Sequence, residues 1–116
     1  MGIKRIAIEM GQGTSLRTGD YTRAARRAIE NALWKNSLTV AQGFGFSKND
    51  MIVDAVIGVQ RPEKVKLSGL KDLFPYGRVN VVSKFGGLDI PKTKTTSKTI
   101  IANAVLIISF DMEIHS

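Results

Sequence analysis

The first third of the chain contains two alternations of apolar and polar residues, with different periods. Residues 3–10 alternate from one position to the next, which is typical of a strand that buries one face. From Asp20 onward the apolar positions recur every three or four residues, which predicts an amphipathic helix capped by Asp20 or Thr22. The inner face of this helix is rich in alanine and permits close approach to a sheet; it contains Ala25, Ala28, Ile29, Ala32 and Leu33.

The remaining apolar segments predict further strands and a second helix. The strands are residues 51–59, 78–85 and 99–112, and residues 88–91 are compatible with an edge continuation. The first of these is apolar at nearly every position, as in a strand covered on both faces. Residues 67–74 predict a short helix that ends before Pro75. The glycine-rich residues 38–49 predict an irregular loop that packs two phenylalanines.

Together these elements predict an α+β fold of order β-α-β-α-β-β, a two-layer sandwich in a single domain of residues 1–116. Right-handed crossovers place both helices on one face of a mixed sheet. Two short helices cannot cover the other face, which includes Val82 and residues 104–108, and a bare apolar face predicts a homo-oligomer. The topology resembles the chorismate-mutase-like fold of small trimeric imine deaminases and of the C-terminal domain of tubulin-type proteins. This likeness concerns the fold and implies no function.

Charge and composition narrow the classes of partner and chemistry. The formal net charge is +7 and the pI is near 10.0, which favours anionic partners. The chain has no cysteine and one histidine, His115, so neither thiolate or imidazole chemistry nor any metal or cofactor is predicted. No segment approaches the ~20 apolar residues of a membrane helix, and the N-terminus lacks the apolar core of a signal peptide. A cytoplasmic location is therefore expected.

The segment between the first strand and the first helix is the strongest candidate for a binding site. Its glycines permit a ligand to approach the backbone, and its hydroxyl and guanidinium groups are donors ahead of a helix N-terminus. It is neither a Walker A nor a Rossmann motif, because no Gly-Lys-Ser/Thr follows and the third residue after Gly13 is Leu16. The alternative is a loop whose glycines only turn the chain. The predicted ligand is a small anionic or polar cyclic metabolite, bound by Gly11, Gly13, Thr14, Ser15, Arg17 and Asp20.

This segment also resembles the N-terminal signature Gly-x-Gly-x-Asp-x-His-Gly of a small family of uncharacterised bacterial proteins, found with extensions in plants. Further similar segments at matching spacings are residues 20–28, 36–38, 62–65, 75–77 and 86–88. The glycines correspond to Gly11 and Gly13, whereas the family's Asp, His and last Gly fall on Ser15, Arg17 and Thr18. A hydroxyl and a guanidinium hold an anion but form a poor proton-transfer pair. The resemblance therefore implies a binding protein, or a non-catalytic subunit of a hetero-oligomer with a paralogue that keeps the Asp and His.

Three residues near this segment are candidate catalytic groups: Ser15, Arg17 and Glu9. Glu9 is placed to act as a base or as a counter-ion for Arg17, and the alternative is an exposed carboxylate at a strand end. Asp54 interrupts an apolar strand, and a pairing of its charge with a cation is favoured, because an unpaired carboxylate is costly among apolar residues. The alternatives are a position facing solvent at a sheet edge and a position in a functional site.

Two further groups of residues allow a structural and a functional interpretation. Arg23, Arg26 and Arg27 are predicted on the solvent face of the first helix, where Glu30 can pair with Arg26. Phosphate or nucleic-acid binding is the alternative, but the chain has no repeated aromatic and basic platform, so nucleic acid is disfavoured.

Ser83-Lys84 followed by Gly86-Gly87 resembles the ring-opening amidohydrolases, the group of cyanuric acid hydrolase and barbiturase. This resemblance keeps open a C–N hydrolase with Ser15 or Ser83 as the nucleophile. Adjacent residues of a strand lie on opposite faces, so Ser83 and Lys84 do not form a dyad within one chain.

Overall fold

A computed structural model describes residues 3–16, 20–34, 50–74, 77–92 and 98–111. Its elements are the strand β1 (Ile3–Ser15), the helix α1 (Tyr21–Trp34), and the strands β2 (Ile52–Val59), β3 (Arg78–Phe85), β4 (Leu88–Pro91) and β5 (Lys98–Asp111). Two 3₁₀ turns, Pro62–Lys64 and Leu70–Leu73, connect β2 to β3. The loop predicted at residues 38–49, Arg17 and His115 lie outside the described residues.

The five strands form one mixed sheet of order β1-β5-β2-β3, and β4 pairs with β5 in line with β2. β5 is antiparallel to β1, β2 and β4, whereas β2 and β3 are parallel. The predicted α+β class and mixed sheet are confirmed. β5 is the central strand, because it connects β1 with the rest of the sheet.

The prediction of a second α-helix is wrong. Residues 67–74 contain only the 3₁₀ turn Leu70–Leu73. An α-helix over these residues would contain Gly69 near its start and would have to end before Pro75. The remaining residues are too few to offset the free-energy cost of helix nucleation. The apolar periodicity still marks the buried side, because Leu70 and Phe74 pack into the core. Nothing in the described ranges forms a helix of the length and apolar character that a membrane crossing requires.

The core lies between α1 and one face of the sheet. Along β2 every second residue is buried and the others are half-buried, so a single chain covers only one of the two faces that were predicted to be covered. The face opposite α1 keeps large apolar side chains in contact with solvent, among them Ile8, Met10 and Val82. The predicted bare apolar face is therefore confirmed for the described residues.

Candidate functional site

The two glycines of the predicted loop lie inside β1, which continues to Ser15, so the loop prediction is wrong for residues 11–15. α1 crosses directly over both glycines. A Cβ added to Gly11 would lie 2.3 Å from the carbonyl oxygen of Ala28, and one added to Gly13 would lie 2.3 Å from the nitrogen of Ala28. The close approach that these glycines permit is that of the helix backbone, because α1 occupies the space above them.

The last two residues of β1 present their side chains to opposite faces of the sheet. Ser15 is paired in register with Ile100 on the α1 face and is 1% exposed. Thr14 is paired with Ile101 on the other face and is half-buried. The two hydroxyls that the sequence placed in one site are therefore separated by the sheet, and Ser15 alone lies on the α1 side.

Asp20 begins α1 as predicted. Its Oδ1 accepts a hydrogen bond from the Arg23 backbone N–H at 3.1 Å, and its carbonyl oxygen accepts from Ala24 N–H at 3.2 Å. This is the arrangement of an N-cap residue, which satisfies an N–H that has no partner within the helix. The alternative cap, Thr22, instead accepts from Lys66 N–H at 2.9 Å.

A cavity of about 160 Å³ opens where β1 ends and α1 begins, lined by Ser15, Leu16, Arg23 and Arg27. Arg23 and Arg27 are one helical turn apart and project from the same side of α1. Arg27 Nη1 donates to the Thr14 carbonyl oxygen at 2.8 Å, and this bond holds the guanidinium at the cavity wall. Lys92 donates to the Leu16 carbonyl oxygen. The cavity therefore combines two guanidinium groups with a serine, and a third cation lies beside it.

All three arginines of α1 are exposed, as predicted, and two of them also line the cavity. Arg26 Nε lies 3.9 Å from Glu30 Oε1, and both side chains are more than half exposed. Arg23 and Arg27 flank the alanine stripe that faces β1, beside the cavity. In the sequence, the position of these two arginines is indicated by their spacing of four residues and by their location next to the apolar residues Ala24 and Ala28. The polarity of arginine by itself suggests only a solvent-exposed side chain.

Three residues that sequence reasoning missed form a polar cluster beneath the first turn of α1. The Tyr21 hydroxyl donates to Asp89 Oδ2, and Lys98 Nζ lies 3.1 Å from the same oxygen. Lys98 Nζ also lies 5.2 Å from the centre of the Tyr21 ring. Asp89 is paired with Ile100, the residue that Ser15 meets on the other side of β5, so the cluster and the cavity share one face of the sheet.

The cluster fastens the start of α1 to β4 and β5. Tyr21 is 3% exposed, and the hydrogen bonds of Lys98 to Tyr21 and then to Asp89 raise the pKa of Lys98 above its ordinary value, against partial desolvation. Asp89 Oδ1 is buried and has no hydrogen-bond partner within the part of the chain that the structure describes. The ammonium of Lys98 therefore compensates most of the charge of a largely buried carboxylate.

Glu9 and Ser83 are not brought to the cavity. Glu9 is paired in register with Leu106 and lies six residues before Ser15, about 20 Å along an extended strand. Ser83 Oγ donates to the Pro62 carbonyl oxygen at 3.0 Å, and Lys84 is exposed on the opposite face of β3. Glu9 therefore lies away from the cavity, whereas the sequence predicted it to act beside the segment that contains Ser15 and Arg17.

Comparisons with known proteins agree with this fold and leave the activity undefined. Residues 5–108 match a family described as Conserved hypothetical protein (Lin0512_fam). The crystal structure of an FtsZ-like protein of unknown function from Nostoc punctiforme PCC 73102 is 29% identical in sequence and superposes with a TM-score of 0.84. That likeness covers 96% of this chain and 98% of the other. No curated protein gives a significant match.

Proposed function

We propose that this chain, which belongs to the conserved hypothetical family Lin0512_fam, binds a small anionic metabolite in the cavity where β1 ends and α1 begins. The supporting observation is the pair of guanidinium groups, Arg23 and Arg27, on the wall of one cavity beside Ser15. Guanidinium groups bind carboxylate and phosphate oxygens through charge-assisted hydrogen bonds.

The size of the cavity limits the ligand. Its volume of about 160 Å³ equals that of roughly five water molecules at their liquid density. A phosphate or a small dicarboxylate fits this space, whereas drug-sized ligands occupy cavities of about 300 Å³ or more. Arg17 joins this proposal as a predicted further cation, because residues 17–19 connect Leu16 at the cavity to Asp20.

The hydrolase alternative has no comparable support. The Ser83 hydroxyl is already committed to the Pro62 carbonyl oxygen, and Ser15 is 1% exposed. A nucleophile needs a base within hydrogen-bond reach, and Glu9 lies far along β1. A non-catalytic subunit paired with an Asp/His-bearing paralogue is compatible with the same anion site, but nothing among the described residues favours it.

The test compares two arginines of the same helix. Inorganic phosphate and malonate are titrated into the wild type, Arg23→Ala and Arg26→Ala, with two-dimensional NMR and calorimetry as readouts. We expect the amide signals of Ser15 and Leu16 to shift, and Arg23→Ala to weaken binding about tenfold, the effect of one charge-assisted hydrogen bond. Arg26→Ala is the matched control, because Arg26 points away from the cavity and pairs with Glu30.

Two results would overturn the proposal. One is equal affinity of Arg23→Ala and Arg26→Ala for both anions. The other is shifts that map away from Ser15 and Leu16. Because Arg23 and Arg27 are exposed, binding is also expected to weaken as the salt concentration rises.

A further inference from the structure

The sheet face opposite α1, here called the open face, carries a continuous set of apolar side chains from all five strands. Strand register places them together, because residues paired across strands lie on the same face. The set consists of Ile8, Met10, Ile52, Val56, Val82, Leu88, Ile90, Ile101, Val105 and Ile107. No element among the described residues packs on the open face, because α1 and the 3₁₀ turns pack on the other face of the sheet.

The open face exposes a large apolar surface for a single chain. Met10 is 63% exposed, Leu88 58% and Ile8 49%. Together the set leaves on the order of 500 Å² of apolar surface in water, near the upper end for single-chain proteins. Such a surface indicates an interface.

A carboxylate residue, Asp54, lies among these apolar side chains. Asp54 is paired in register with Ile107 on one side and with Asn80 on the other, and Asn80 Nδ2 donates to Asp54 Oδ1 at 3.3 Å. Neither of the ion pairs that join described residues, Arg26–Glu30 and Lys98–Asp89, includes it. If the open face is covered, Asp54 loses water and needs a cation from the covering surface.

The open face itself carries such cations. Arg78 and Arg5 lie on it one row from Asp54, since Arg78 is paired with Ile52, Ile52 with Ser109 and Ser109 with Arg5. A surface with apolar side chains, the Asp54 carboxylate and flanking guanidinium groups is complementary to itself. A lipid bilayer or a wholly apolar partner would leave Asp54 unpaired.

The β1 edge of the sheet is a poorer place for association than the open face. β1 is an edge strand, but Gln12 N–H already donates to Asn31 Oδ1 at 3.0 Å and the Thr14 carbonyl oxygen accepts from Arg27. Side chains of α1 thus use backbone groups that an added strand would need. Association through the face loses none of these hydrogen bonds.

We infer that the open face is covered by the open face of a second copy of this chain, with Asp54 of each copy paired with Arg78 of the other. This goes beyond anion binding and does not depend on it, because the cavity at Arg23 lies on the other side of the sheet. Two faces packed in this way bury their apolar side chains at the ~10 Å spacing of stacked sheets.

The first test measures molar mass in solution by light scattering and sedimentation equilibrium. At about 100 µM, where an assembly with a micromolar Kd is almost fully formed, we expect the wild type to exceed the monomer mass. Val82→Lys places a charge in the open face and is expected to give monomers. Phe85→Lys is the matched control: it lies on the same strand and is 75% exposed, but is paired with Val59 on the opposite face.

The second test concerns the charges. Asp54→Arg is expected to raise the Kd of self-association at least about tenfold, and Asp54→Arg combined with Arg78→Asp to restore it, as an ion pair with exchanged signs would. A monomeric wild type, equal effects of Val82→Lys and Phe85→Lys, or no rescue in the double variant each overturns the inference. Far-ultraviolet circular dichroism confirms that every variant is folded.

Discussion

Replacing Gly13 with alanine tests how closely α1 is seated on the sheet. The new Cβ would lie 2.3 Å from Ala28 N and 2.4 Å from Ala24 O, whereas real Cβ contacts stay beyond 3.0 Å. Both neighbours are main-chain atoms of a helix, so no side-chain rotation relieves the overlap. The helix must move away from β1 by about 0.7 Å, the difference between 3.0 and 2.3 Å.

This displacement affects the whole interface between α1 and the sheet. A radial gap of roughly 0.5–1 Å forfeits a quarter to a half of the dispersion attraction between facing atoms. Overpacking typically costs about 1–3 kcal/mol, and here the rigid backbone places the cost at the upper end. We therefore expect the free energy of unfolding to fall by about 3 kcal/mol, from a total of roughly 5–15 kcal/mol, and Tm to fall by about 10 °C.

Urea denaturation followed by circular dichroism measures the change. Gly69→Ala is the matched control, because Gly69 has φ −89° and ψ −9° and a Cβ there meets nothing within 4 Å. Its stability is expected to stay within about 0.5 kcal/mol of the wild type or to rise slightly. The combined variant Gly13→Ala with Ala28→Gly is expected to bring no recovery, because the overlapping atoms are not side-chain atoms. A Gly13→Ala protein as stable as Gly69→Ala would refute the reasoning.

Two other predictions concern the start of α1. Asp20→Ala is expected to lower the free energy of unfolding by about 1 kcal/mol in urea, and Asp20→Ser to keep most of it, because Ser can also accept from a first-turn N–H; equal losses in both variants would argue against the cap. The folded-state pKa of Lys98 is raised above its unfolded value, so its contribution to stability is complete below the unfolded pKa of about 10.4 and is lost as pH rises through the folded value. Urea titrations of the wild type and Lys98→Met from neutral to strongly alkaline pH are therefore expected to converge, and a difference that widens with pH would contradict the assigned contacts.

Several elements were predictable because their signal is local. The spacing of alanines in α1 and the carboxylate at Asp20 depend on the helical period and on free N–H groups within a few residues. The strands β2, β3 and β5 follow from runs of β-branched residues. Even the open apolar face was predictable, since it follows from counting apolar positions against the helices available to cover them.

The site depended on contacts between residues far apart in the chain. Tyr21 meets Asp89 across 68 positions, and no periodicity links the two. The glycines of β1 illustrate the same limit. The pattern Gly-x-Gly before a helix is the same when the glycines approach a ligand and when they approach a neighbouring backbone. Only the packing of α1 on β1 distinguishes these cases.

The sequence by itself thus determined the kind of each main element, the start of the helix and the surplus of apolar surface, because these depend on neighbours within one or two turns or strand pairs. The tertiary structure decided that Arg23 and Arg27, unlike Arg26, line a cavity and that Thr14 and Ser15 lie on opposite faces. It also decided that the described residues between β2 and β3 form 3₁₀ turns and no second α-helix. Each of these outcomes depends on which surfaces meet, and a close contact between backbones leaves no mark in the sequence except the absence of a side chain.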